Sequence, residues 1–123
     1  MIGKIGISLC PYYNTQTNKK SFKKRPILII GGPRNNDYTV LPISTVSRKE
    51  NLDAKYDVEV IPAQYPNLNL HNTSYIRVHK QTTIHHSEIL RIIGDLKSEY
   101  GELYLKILML LEEFNQETLD ASL

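Results

Sequence analysis

The sequence predicts a mainly β protein of the α+β class: a small, strongly curved β-barrel with one helix at its C-terminal end. Three observations carry this expectation. Short β-type runs recur between turn signals through residues 1–95. Only one segment, 98–114, has sustained helical periodicity. The 123 residues, 41% hydrophobic and 23% charged, suffice for a single domain that buries a core without disulfides. A series of strands followed by a helix buries its apolar faces best when the sheet curls and the helix packs against it.

Taken in order, Ile5–Leu9 reads as a first strand ended by Pro11. "NKKSFKKRPILII" (18–30) then sets five basic side chains in seven positions, Lys19 to Arg25, against a buried strand, Ile27–Ile30. Gly31, Gly32 and Pro33 close that strand, and "RNND" (34–37) is turn chemistry, because Asn and Asp tolerate left-handed backbone. "YTVLPIS" (38–44) follows as a strand in which Pro42 demands a bulge, an edge or an end. "YDVEVI" (56–61) alternates polar and apolar as a half-exposed strand does. "TSYIRV" (73–78) is another strand, with "TTI" (82–84) and "RIIG" (91–94) as short pieces nearby.

In the helix, Tyr100, Leu103, Tyr104, Ile107, Leu108, Leu111 and Phe114 fall on one stripe at three- and four-residue spacing. Ser98 is the expected N-cap, and Glu99 and Glu102 suit the positive end of the helix dipole. Leu105, Met109 and Leu110 widen the apolar face. That extra width serves either core coverage or a partner, including a second copy. The acidic tail after Phe114 is expected to fray.

Composition narrows the function classes. No apolar stretch approaches the roughly 20 residues of a membrane span, and no signal-peptide pattern opens the chain. The lone Cys10 reads as a reduced thiol in a cytoplasmic protein. The net charge of +2 conceals an asymmetry: residues 1–80 carry 12 Lys/Arg against 5 Asp/Glu, and residues 81–123 carry 3 against 8. A basic working surface with an acidic C-terminal element fits a polyanionic partner, as does a helix with a solvated acidic face.

Arg25 precedes Pro26, so its backbone is biased to extended and it enters the strand in a defined direction. A guanidinium so held can grip a phosphate through two parallel hydrogen bonds, which Lys cannot do. Ser44 and Thr45 are hydroxyls at a strand end, either turn formers or site groups. Arg77 and His79 stand two apart on an expected strand and would share its face. Arg can stabilise a phosphodiester transition state while His moves a proton near neutral pH. His85 and His86 would point oppositely, and without a Cys or carboxylate cluster they give no metal site. "GGPR" lacks the Lys-Ser/Thr of a phosphate loop. Tyr12, Tyr13, Phe22 and Tyr38 flank the basic run and could stack on unpaired bases or anchor onto the barrel.

"KKRPILII" (23–30), "YTVLPIST" (38–45), "SYIRVHKQTTI" (74–84) and "ILRIIGDLKSEYGELYLKILMLL" (89–111), in this order, resemble the MazF/PemK (Kid) family of type II toxins. The resemblance implies an SH3-like barrel of the CcdB/PemK type that forms a homodimer. It implies a metal-independent endoribonuclease, without cofactor, that cleaves single-stranded RNA by attack of the ribose 2′-hydroxyl. It also implies an antitoxin whose disordered segment occupies the RNA groove. Carried over by position, Arg25 matches the family's Arg before Pro, Ser44 and Thr45 its hydroxyl pair in reversed order, and Arg77 an Arg of the Kid branch. Two positions depart: His79 stands where that branch has a catalytic Asp, and Lys19 or Lys20 falls nearest its loop His. The expectation is that His79 takes over proton transfer, with Lys19, Lys20, Lys23, Lys24 and Lys80 gathering RNA. A non-catalytic relative of the same barrel, gyrase-inhibiting or RNA- or protein-binding, is the alternative.

Overall fold

The computed structural model describes residues 1–123 as a seven-stranded antiparallel sheet, curled on itself, with a C-terminal helix. The strands are β1 (Lys4–Asn14), β2 (Lys19–Arg34), β3 (Asp37–Ser44), β4 (Asp57–Val60), β5 (Ser74–Arg77), β6 (Thr82–His85) and β7 (Ile89–Asp95). Their order is β4-β5-β3-β2-β1-β7, with β6 paired to β3. The curved barrel with a C-terminal helix expected from the sequence is therefore present.

The β1–β2 hairpin sets the geometry of the site. It pairs without a register break from Ile5↔Leu28 to Asn14↔Lys19. On the outer sides, however, β7 leaves β1 at Ser8 and β3 leaves β2 at Ile27. Beyond those points the two strands have only each other, as a two-stranded arm. This corrects one expectation. The first strand does not stop at Pro11, because a residue with no outer neighbour tolerates a missing N–H, and Pro11 pairs with Phe22. The lysine run is strand as well, with only residues 15–18 as turn.

Between β2 and β3, Asn35 and Asn36 take φ of 52° and 64°, the positive values a two-residue hairpin turn needs to match strand twist. β3 then serves two partners on its far side: β6 pairs with Asp37–Val40 and β5 with Ile43 and Ser44. Pro42 falls in the gap between them.

Alternation sorts the two faces. Inward, Ile5, Leu28, Leu41, Ile43, Val58, Val60 and Ile76 pack on Leu103, Tyr104 and Ile107 of the helix. Each such fully buried aliphatic stabilises the fold by about 1.5–3 kcal/mol. On the opposite face Ile27, Ile29, Val40 and Ile84 form a smaller cluster where β6 folds over. The helix comes in two pieces, α1 (Leu96–Glu99) and α2 (Gly101–Ala121), broken at Tyr100, whose φ is −137°. Its cap is Asp95, whose carboxylate accepts the Ser98 N–H at 3.2 Å, and not Ser98 itself. α2 runs through residues 115–121, where the sequence suggests fraying. Of the residues that widen the apolar face, Leu110 packs partly against the main core, whereas Leu105 and Met109 remain 58% and 61% exposed and cover nothing in this chain. No helix is long and apolar enough to cross a membrane.

Candidate active site and nucleic-acid interface

Arg25 sits at the root of the arm, where the two-stranded ribbon joins the sheet. It pairs with Ser8 of β1, and its half-buried side chain makes no ion pair or hydrogen bond within the chain. Strand alternation puts Lys23 and Lys19 on its side of the arm and Lys20 and Lys24 on the other. All four lysines are exposed, and the Lys23 ammonium lies 4.6 Å from the Tyr12 ring centroid. Tyr13 and Phe22 are exposed on the other side of the arm, at 61% and 63%. Cys10, across from Lys23, has its thiol pKa pushed up by burial; the nearby Arg25 cation opposes that rise and Glu88 adds to it.

The last β2–β3 pair is Ile27↔Pro42. Two residues further along each strand lie Arg25 and Ser44, both on the outer face. Ser44 pairs with Tyr75 and Tyr75 with Glu59, while Arg77 pairs with Asp57. Residues directly across an antiparallel ladder point the same way. Arg25, Ser44, Tyr75 and Arg77 thus share one half-exposed face across three strands. At ordinary spacings, Arg25 and Arg77 are separated by roughly 10 Å across the sheet and about 7 Å along it. Thr45 is parted from Ser44: it lines a cavity of about 350 Å³ that also includes Pro26, His71 and Arg91.

Arg77 and His79 do not share a strand face, because β5 ends at Arg77 and residues 78–80 form a 3-10 turn. They meet at a third residue. Arg77 donates from Nε to Asp57 Oδ1 at 3.0 Å and from Nη2 to Asp57 Oδ2 at 3.2 Å, and Nη2 also reaches the Asn51 carbonyl at 3.1 Å. Its Nη1 makes no such bond. The Asp53 N–H adds a 2.8 Å bond to Asp57 Oδ2. His79 Nδ1 faces Asp57 Oδ1 at 3.8 Å, and the ring's edge meets Phe114 of α2 with centroids 6.4 Å apart. The Asp57 side chain is 1% exposed, against 16% and 17% for Arg77 and His79. Asp57 gave no signal in the sequence beyond its place in an alternating strand, since its partners lie 20 and 22 positions away. Lys80 is exposed on the same turn. His85 and His86 do not diverge; the turn after β6 brings their rings to 4.4 Å.

A match to the family model described as PemK-like, MazF-like toxin of type II toxin-antitoxin system covers residues 4–111. The chain belongs to this family. As a PemK-like toxin of a type II toxin-antitoxin system, it has an antitoxin as its expected counterpart. No individually curated protein gives a significant match to this PemK-like chain. The matched span takes in the arm, Arg25, Ser44, Thr45 and the Asp57–Arg77–His79 cluster, and it ends at Leu111, inside α2.

Proposed function

We propose that this toxin is a metal-independent endoribonuclease that cleaves single-stranded RNA and so halts translation and growth. The observation that supports it most is Arg25: an unengaged guanidinium at the foot of a basic arm, on the same outer face as Ser44 and Arg77. Lysines along the arm neutralise phosphates. Arg25 and the free Nη1 of Arg77 bear on the charge that builds on the phosphoryl oxygens in the transition state. Ser44 offers a hydroxyl to the same group; Thr45, on the cavity side of the strand, does not face it.

In the reaction, His79 accepts the proton of the ribose 2′-hydroxyl as the 2′-oxygen bonds to phosphorus. The bond from phosphorus to the 5′-oxygen breaks, and that oxygen leaves with a proton taken from water. The products are a 2′,3′-cyclic phosphate and a 5′-hydroxyl. The toxin acts in the cytoplasm as a homodimer, with the exposed Leu105–Met109 stripe of α2 contributing to self-association. The antitoxin neutralises it by covering the arm and the Arg25 face with acidic side chains.

The test is incubation of labelled single-stranded RNA with the purified protein in EDTA. The expected result is 5′-hydroxyl fragments from the wild type and none from Arg25→Ala or His79→Ala. Binding without cleavage would leave an RNA-binding barrel in place of an enzyme. Full turnover by His79→Ala would remove His79 from the mechanism.

A further inference from the structure

Buried polar atoms almost always have hydrogen-bond partners, and an exception calls for a reason. His79 Nδ1 is one of two buried side-chain polar atoms here without one. Leaving such an atom unpaired is destabilising, because it has given up its water without a replacement. What it faces is Asp57 Oδ1, at 3.8 Å.

The carboxylate has room for it. An ionised carboxyl group accepts about four hydrogen bonds, two at each oxygen. Oδ2 already takes two, from Asp53 N–H and Arg77 Nη2, while Oδ1 takes only Arg77 Nε. The vacant acceptor position is thus on the oxygen that His79 Nδ1 faces. Asp57 is itself fixed by Arg77 and by the backbone of residue 53, so the imidazole is the part that moves. An approach of about 1 Å makes an ordinary hydrogen bond. Because Nδ1 is buried, the ring's 17% exposure belongs to its other atoms.

We propose that Asp57 is a positioning residue for His79. It accepts the Nδ1–H, keeps the neutral ring in the tautomer whose Nε2 carries no proton, and turns that lone pair toward the outer face. This rests on the reading of His79 as proton acceptor: a ring protonated at Nε2 would have its only basic nitrogen buried. The carboxylate absent at position 79 is thereby supplied from the neighbouring strand, one bond further from the substrate, with Arg77 on its other side.

The test uses the full-length protein. Long-range proton–nitrogen NMR correlations of the uniformly labelled wild type report the tautomer of each of its four histidines, and a His79→Gln spectrum identifies His79. The expected neutral form of His79 carries its proton on Nδ1. A neutral ring protonated at Nε2 overturns the proposal outright, without any variant having to fold. Asp57→Asn, compared at low temperature where it is folded, should shift His79 toward the other tautomer. It should also lower kcat for RNA cleavage about 10²–10⁴-fold, as loss of an orienting carboxylate does, with KM changed less than threefold. An unchanged tautomer in that variant also refutes the assignment. Full cleavage by His79→Gln would instead defeat the catalytic role of His79, while the tautomer spectrum judges the Asp57 contact by itself.

Discussion

Two pairs of lysines separate the faces of the arm, and removing each pair should give different results. Lys19 and Lys23 point to the side of Arg25; Lys20 and Lys24 point away from it. All four are exposed, and none is in an ion pair, so either double alanine variant should change stability little. The readout is the salt dependence of RNA binding, measured by anisotropy with a substrate whose scissile ribose lacks its 2′-hydroxyl, so that binding is seen without turnover. On single strands each neutralised phosphate contributes about 0.7 to the slope of log K against log salt. If RNA lies along the Arg25 face, Lys19→Ala/Lys23→Ala should flatten that slope by about 1.4, the value for two lost phosphate contacts. Lys20→Ala/Lys24→Ala should leave it nearly unchanged. Equal flattening by both pairs would mean that RNA wraps the arm or that the lysines act only through diffuse charge. A larger effect from the second pair would put the RNA on the face of Tyr13 and Phe22 and would refute the placement of the site.

Arg25→Lys keeps the charge but not the paired donors, and should lower kcat by about 10²–10³ while the melting temperature holds; cleavage within threefold of wild type would show that any cation suffices. Asp57→Ala removes one member of a buried pair and orphans the Asp53 N–H, a class of change that costs about 3–5 kcal/mol. Because Arg77 retains the Asn51 carbonyl and some solvent contact, the low end, about 3 kcal/mol, is expected in urea unfolding, and a loss below about 1 kcal/mol would show that the pair is not structurally important. Cys10 should alkylate slowly at pH 8, since burial raises its thiol pKa and thins the thiolate. Arg25→Gln, which keeps most of the side chain's bulk, should slow it further by removing the cation that opposes that rise, and an unchanged pH dependence of alkylation in that variant would contradict the proximity of the two side chains.

The parts of the fold that sequence patterns foretold are those decided by near neighbours. The β2–β3 turn is written in Asn35 and Asn36, and the buried faces of the Ile27–Ile30 strand and α2 follow from their own alternation and periodicity. What could not be read depended on where a distant partner stops. Pro11 stays in a strand only because β7 has already left β1 at Ser8. Arg77 and His79 part company because β5 ends between them, and they are reunited by Asp57, which the β4–β5 register delivers. The split of Ser44 from Thr45 is plain strand alternation; what stayed hidden is the cavity on the Thr45 side, walled by the 69–72 segment. Arg25 itself was legible, because Pro26 and the apolar run behind it fix its backbone locally.

The unbroken pairing of the arm also restricts how its length can drift. Ten consecutive residue pairs run from the sheet to the tip without a bulge, so side is decided by counting alone. One residue gained or lost between Lys19 and Arg25 would exchange the two faces, carrying lysines away from the arginine they accompany. A matched change of two residues in each strand would preserve every side, and turn residues 15–18 can vary without affecting it. Among descendants of this chain the arm should therefore lengthen or shorten in steps of two, or only at its tip.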